Sequence, residues 1–432
     1  MRNEADGMLG AVMASESLGL TDTMINGAGG CRSRMQIMMH ELIPKYYPEN
    51  VSCCRSKYFS RQSRLPCTYL NNDDYIFGSA QKVAKGIESV SSVTGKRTVL
   101  LDTLGASLIC TDYSGLTGSF DTDPIFIEED LSSMSVCEGY DAVTDAIISS
   151  LNMDSGEKGG VNILGYGIMD LGWEAGADHL CILLEMIGVK VNCVLGCLPN
   201  IDAVKELGKA SLNILIHPEY CRRTADSLKR RFGTDYLRPS MGAPVGYDST
   251  RSFIKEVAKK LGVDPKPALS YIDKEAGRVH QTLMNFDRLP ISLHAKGFVV
   301  EGDSSTAYPL MRWMMEAFGM VPRRIALTDD EYRKEIESYL KETGFDQAFE
   351  GIDGSVEVVF SDGIDALRSR MDPSTTAHVE IRIPRGRAID LMDRTLIGCP
   401  GSRYILDEVF NNIIRFRCGQ PTDVIYRPGY ED

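Results

Sequence analysis

Asn26-Gly27-Ala28-Gly29-Gly30-Cys31 brings a thiol to the end of a glycine-rich turn, just ahead of Met35, Met38, Met39 and Leu42 at helical spacing. The apolar pair Met24-Ile25 before it reads as the end of a strand. Cys31 therefore lies at or just before a helix N-terminus, where unpaired backbone N–H groups and the positive end of the dipole favour thiolate. Thiolate is the form that binds iron. Gly27, Gly29 and Gly30 carry no Cβ and let the backbone come close to a bulky ligand. The same residues also suit a phosphate-cradling loop, or a plain strand-to-helix turn with an inert cysteine.

His217 marks a second candidate site. It follows the apolar strand Leu212 to Ile216 and precedes Cys221. The carboxyl ends of strands in an open parallel sheet face the crevice where ligands bind. An imidazole there titrates near neutral pH and would bind metal or donate a proton; the alternative is a histidine that caps the strand end. The chain has 12 cysteines, and Cys31, Cys53, Cys54, Cys67 and Cys110 cluster near its start, a distribution that suits a metal site. Cys137, Cys181, Cys193 and Cys418 read as small buried hydrophobes. Gly165-Tyr166-Gly167 with Asp170 lacks the third glycine of a dinucleotide fingerprint. It reads as an ordinary strand-to-helix turn, as does Gly302-Asp303-Ser304-Ser305. No Walker-type phosphate loop occurs, so ATP hydrolysis belongs to a partner.

The elements that position these residues follow from periodicity. Val161-Asn-Ile-Leu-Gly165 is a strand, Leu180, Leu183, Leu184 and Ile187 share one helix face, and Val189, Val191, Cys193 and Leu195 alternate as the next strand. A short helix at Val204 and Leu207 then leads to Leu212–Ile216. Strand–helix–strand in this rhythm means a parallel sheet with helices on its faces. The pattern restarts at Gly297, with strands expected at Phe298–Val300, Arg324–Leu327, Val356–Phe360 and Val379–Ile383. Helices are expected over Leu310–Phe318, from about Asp330, and around Leu406, Phe410 and Ile414. Thr98–Asp102 is a strand of the first part, which also holds a long irregular stretch from Tyr46 to Asn72. Breaks at Asp154–Gly160 and near Asp287–Pro290 divide the chain into three expected domains: 1–158 with the cysteine turn, 159–290, and 291–432.

A length of 432 residues, 43% hydrophobic and 25% charged, suits such a multidomain globular protein. The net charge of -13 opposes a nucleic-acid partner. The most apolar stretch, His179 to Leu198, is interrupted by Glu185 and Lys190, so no membrane span is expected. The opening residues Met1 to Asp6 have no signal-type apolar run, and a reducing cytoplasmic setting without disulfides is the expectation.

Several motifs in order carry a resemblance. They are Gly10-Ala11 and Asn26–Cys31; Asn71-Asn-Asp-Asp-Tyr-Ile-Phe-Gly78 with Lys82; Val161–Gly165; Pro244-Val-Gly-Tyr-Asp-Ser-Thr250; and Gly398-Cys-Pro-Gly401 with Asn411 and Asn412. Together they resemble the nitrogenase component 1 proteins and their cofactor-assembly relatives over essentially the whole chain. The resemblance implies three Rossmann-like α/β domains with parallel β-sheets flanked by helices. It further implies a homodimer, or a heterodimer or heterotetramer with a paralogous subunit, and an oxygen-sensitive metallocluster near the subunit interface. Electrons would come from a separate iron–sulfur ATPase.

Of the family's three cysteine positions, Cys31 matches the second, Asp6 stands at the first and Leu104 at the third. Cys67, Cys110, Cys53 and Cys54 are substitute ligands, and Asp6 is an oxygen donor that iron accepts less favourably than thiolate. This set points to a 4Fe–4S iron–sulfur cluster shared across a dimer rather than an eight-iron cluster. His217 stands where molybdenum nitrogenase-like chains carry a cofactor-ligating cysteine. The family's second cofactor ligand has no counterpart: His378 comes too early, and Ile383-Pro-Arg-Gly-Arg387 occupies the region, as an anion-holding or solvated loop. An iron–molybdenum-type cofactor is therefore not expected. The implied activity is that of a nitrogenase-like, ATP-dependent two-component reductase subunit with His217 as proton donor. The alternatives are a metallocofactor assembly scaffold and a cluster-free α/β small-molecule-binding protein.

Overall fold

The computed structural model describes residues 5–40, 65–116, 120–285, 292–363, 375–383 and 392–417. Three parallel sheets flanked by helices make up the α/β fold expected from the sequence. The first has the order β1 (Thr21–Asn26), β2 (Arg97–Asp102), β3 (Ile125–Phe126). In the second, β5 (Val191–Gly196) and β6 (Leu212–Leu215) flank β4 (Val161–Gly167), with β7 (Tyr236–Leu237) beyond β6. In the third, β8 (Gly297–Gly302) lies between β9 (Val321–Leu327) and β10 (Val358–Asp362), with β11 (Ala377–Arg382) at the far edge. The chain divides into two compact units, Met1–Met169 with Val191–Leu237 and Asp170–Lys190 with Arg238–Asp432. The first unit holds the first two sheets and the second unit the third.

Strand positions agree with the periodicity, and the ends shift for local reasons. The strand expected from Val189 begins at Val191, because the Val189 N–H is taken by the Leu184 carbonyl at the close of the Trp173–Glu185 helix. The helix expected from Asp330 begins at Arg333, because the Asp329 carboxylate and the Ser304 hydroxyl hold the N–H groups of Glu331 and Tyr332. The break at 154–160 falls between the Val136–Ser149 helix and β4, whereas the break near Asp287–Pro290 lies outside the described residues.

The first sheet forms because Met24 and Leu100 bury against Val83 and Ile87, four residues apart on the Ala80–Thr94 helix. Each such side chain contributes about 1.5–3 kcal/mol on full burial, which sets β1 and β2 in register from Thr21↔Arg97 to Asn26↔Asp102. In the same unit, the Val136–Ser149 helix starts with a capping box of Ser135 and Glu138 and buries Asp141. Asp141 in turn accepts hydrogen bonds at the start of the Arg222–Phe232 helix, whose own N-cap residue Cys221 supplies no side-chain cap. Cys137 and Cys193 are buried as expected, Cys181 is half-buried, and Cys418 lies outside the described residues. No described helix is long and apolar enough to cross a membrane.

Candidate metal centre

β1 delivers Asn26 to the carboxyl edge of the first sheet, and the turn after it enters the Gly29–His40 helix. Cys31 is thus inside the first turn of that helix, its N–H bonded to the Ala28 carbonyl at 3.1 Å. The three glycines have different surroundings. A Cβ on Gly27 would stand 2.4 Å from Thr103 Oγ1, so glycine here serves the packing of the turn on the chain itself. One on Gly29 would meet the Tyr69 ring at 3.1 Å, and one on Gly30 would meet nothing within 4 Å. The mouth of the turn is open at Gly30.

A second thiol joins the turn from far along the chain. Residues 66–70 run beside it through Ile25 N–H to Pro66 O, Thr68 N–H to Ile25 O and Leu70 N–H to Gly27 O, with a parallel bridge between Ile25 and Cys67. Cys67 Sγ lies 3.2 Å from Gly27 O and accepts from the Tyr69 N–H at 3.4 Å. Burial pushes the Cys67 thiol above its ordinary value; the Tyr69 N–H, Arg32 and Lys82 pull it back, and charge on Cys31 pushes it up again. The Tyr75 hydroxyl is raised by burial and by the charges of Cys31, Cys67 and Asp74, so it belongs to the same neighbourhood. Tyr69 takes a left-handed φ of 52°, a strain of roughly 1–2 kcal/mol for a side-chain-bearing residue.

Asn26 and Thr68 lock the two thiol-bearing segments together. The Thr68 hydroxyl donates to Asn26 Oδ1 at 2.8 Å and accepts from the Gly27 N–H at 3.0 Å. Asn26 Nδ2 donates to Asp102 Oδ1 and to the Tyr113 hydroxyl, which itself donates to Asp102. Burial raises the Asp102 carboxyl, with Asn26 and Tyr113 opposing the shift. Thr68→Val keeps the shape but strands the Gly27 N–H and Asn26 Oδ1. The expected loss is about 2 kcal/mol, read as a lower urea midpoint at unchanged m. An unchanged midpoint would mean that no such lock exists.

The remaining candidates have other contacts. Asp6 caps the Gly7–Leu18 helix at Leu9 and pairs with Arg34 at 3.3 Å. Cys110 is exposed, with Sγ 3.5 Å from Ser107 O. Cys53 and Cys54 lie outside the described residues. Among the described residues no group of three or more His, Cys, Asp or Glu side chains converges as a metal site, and at the turn the described thiols are the pair Cys31 and Cys67. Around this pair Ile76 (72%), Phe77 (83%) and Leu104 (57%) stand exposed, the last at the position where the resemblance implied a third cysteine. Tyr75 ties the two helices bearing them, since a Cβ on Gly105 would lie 3.0 Å from its hydroxyl. Sequence reasoning missed Arg32, Tyr69 and Tyr75; the available signal was an arginine directly after the cysteine.

His217 ends the strand as expected, but its ring is enclosed. It stacks on Tyr166 at 6.2 Å, meets Tyr220 edge-on, and has Nδ1 3.9 Å from Glu219 Oε1, with side-chain exposures of 5% and 2% for the pair. His378 is buried, its Nε2 3.0 Å from the Ser361 hydroxyl. Beyond Ile383, Arg385 and Arg387 lie outside the described residues.

The donor chemistry of the turn suits an iron–sulfur group. Two thiols flank one turn, a backbone N–H points at one sulfur, a guanidinium and an ammonium offset anionic charge, and the mouth is open. Two such pairs make the four thiolates that a cubane cluster takes.

Comparison with known proteins agrees with the fold. The family model described as nitrogenase component 1 type oxidoreductase matches residues 7–414. The chain is similar to a subunit of the light-independent protochlorophyllide reductase of Heliobacterium modesticaldum, 30% identical over 151 residues, or 35% of this chain and 28% of that protein. To the same subunit of that reductase from Methylocella silvestris it is 26% identical over 311 residues, 64% of this chain and 60% of that protein. The matched segments thus span between 28% and 60% of these relatives' length. Among solved structures, one titled "Nitrogenase Cp1 at pH 6.5" superposes with a TM-score of 0.74 at 16% identity, covering 99% of this chain and 94% of that one. At that identity the likeness concerns the fold alone.

Proposed function

We propose a function from one premise: the chain belongs to the nitrogenase component 1 type oxidoreductase family. Within it, the protein acts as the substrate-reducing subunit of a two-component system that receives electrons from a separate iron–sulfur ATPase. Two copies face each other across the exposed apolar rim of Ile76, Phe77 and Leu104, and each offers Cys31 and Cys67. Bound between them, a 4Fe–4S cluster supplies one-electron storage at low potential.

The chain's own residues have separable tasks in this reading. Cys31 and Cys67 bind as thiolates, and the Tyr69 N–H donates to the Cys67 sulfur. Thr68 and Asn26 hold the two segments at fixed separation, and the apolar rim excludes water once covered. Asp6 and Cys110 stay outside the ligand set. On the second sheet, the buried His217–Glu219 pair is assigned to carrying the proton that accompanies each electron. The named relatives suggest a tetrapyrrole as the substrate class.

The observation carrying this reading is the convergence of two thiols on one open glycine turn. Its test is iron and acid-labile sulfide analysis of the native assembly purified without oxygen, followed by EPR after reduction. The expected content is about two iron atoms per chain, four being shared by two copies. A colourless preparation without iron overturns the electron-transfer role. With the cluster present, tetrapyrrole reduction that requires both ATP and an iron–sulfur ATPase is expected, and its absence removes the substrate assignment.

A further inference from the structure

Among the described residues, the helix that starts at the turn carries Arg32 and Arg34, and Lys82 reaches the Tyr69 carbonyl beside Cys67; two of these three cations have partners. Arg34 is paired with Asp6 at 3.3 Å and Lys82 with Asp74 at 2.6 Å. Arg32, the residue directly after Cys31, differs. Among the described residues it forms no ion pair; its guanidinium lies over the Tyr69 ring at 5.6 Å, and one terminal nitrogen reaches Ser33 Oγ at 3.4 Å. Its Nε is buried and has no acceptor among the described residues.

A half-buried guanidinium without an anion is unfavourable, because desolvation removes more than a ring face returns. The same ring belongs to Tyr69, whose N–H donates to the Cys67 sulfur, so the charge faces the thiol pair through one intervening residue. The missing anion is therefore to be sought at the thiols.

We infer that Arg32 is the counter-charge of the anionic thiolate-ligated centre at this turn, and that its positive charge raises that centre's reduction potential. The inference rests on the reading that Cys31 and Cys67 hold an iron–sulfur cluster, and it adds a potential-setting role that the ligands alone do not supply. A four-thiolate cubane becomes more negative on taking an electron, so a nearby fixed cation stabilises the reduced form more than the oxidised form. Low effective dielectric at a covered interface enlarges the effect. Lys82 contributes less, because Asp74 cancels its charge at short range.

The test is an EPR-monitored redox titration of the native assembly, the Arg32→Gln variant and the Arg32→Lys variant, with iron quantified in each. Arg32→Gln is expected to lower the one-electron reduction equilibrium constant about tenfold, a midpoint about 59 mV more negative. Arg32→Lys, which keeps the charge, is expected to stay close to the native potential. Loss of iron from Arg32→Gln alone, with Arg32→Lys loaded at native potential, supports the same conclusion through retention of the centre. Equal potentials for native protein and Arg32→Gln at equal iron content overturn the role of Arg32 and leave the cluster standing. Loss of iron from both variants assigns Arg32 to structure and also overturns it, and an iron-free native assembly overturns both proposals.

Discussion

Replacing Cys67 with alanine is expected to lower the iron content of the assembly by roughly tenfold or more. In the proposed arrangement a cubane cluster between two copies would draw two thiolates from each, so the change would remove two of four donors at once. Even alterations outside the ligand shell lower metal affinity by about 10- to 100-fold, so direct loss of ligands has at least that effect. Cys31→Ala should behave alike. Cys110→Ala should keep native iron, because that thiol is exposed and engaged with Ser107 O rather than with the glycine turn. Asp6→Ala should also keep it while losing about 1 kcal/mol of stability with its helix cap. Iron per chain and the visible charge-transfer band, measured on anaerobic material, give the answer. Full iron in Cys67→Ala would remove Cys67 from the ligand set and with it the two-plus-two arrangement.

The contrast between Cys31 and Cys67 shows what was legible from residues alone. Cys31 stands in a local pattern: strand, glycines, thiol, helix. Each part of that pattern has a short-range cause, so its place was readable. Cys67 has no such pattern. Its position follows from a parallel bridge to Ile25 and from the Thr68–Asn26 exchange, contacts made across some forty residues of chain. Nothing in the local sequence specifies which of Cys53, Cys54 and Cys67 returns to the turn.

The strands were legible for a related reason. Val161–Gly167 and Leu212–Leu215 are largely apolar runs buried at every position, whereas Gly297–Gly302 alternates between buried and part-buried residues. Their ends moved where a side chain or a carbonyl elsewhere captured an N–H. His217 was readable as a strand end but not as an enclosed ring, because its neighbour Tyr166 comes from β4. Arg32 shows the same limit: next to Cys31 in sequence, it has a meaning that depends on Asp6 choosing Arg34 and Asp74 choosing Lys82.

The largest change in stability is expected at Asp141. Its carboxylate, on a residue 5% exposed, accepts from the Arg223 N–H at 2.7 Å, the Thr224 N–H at 3.0 Å and the Thr224 hydroxyl at 2.7 Å. It thereby caps a helix that lacks a side-chain cap of its own. Asp141→Ala strands three donors, and a cost of about 2–4 kcal/mol follows. The pH dependence has an unusual sign. Burial is the largest influence and pushes the Asp141 carboxyl up to about 6; the Thr224 and Arg223 donors oppose it, and Asp145 adds to it. The unfolded chain has the ordinary value near 4. Between these values the folded protein binds more protons, so this group's contribution is fully present below about pH 4 and falls as pH rises through about 6, by roughly 3 kcal/mol. Asp141→Asn removes the titration. The unfolding free energy of native protein minus that of Asp141→Asn should therefore fall steadily from pH 4.5 to 7, measured by urea denaturation at each pH. A difference that stays flat or grows with pH would mean that the helix N-terminus, not burial, dominates the carboxylate, and that Asp141 works as an ordinary charged cap.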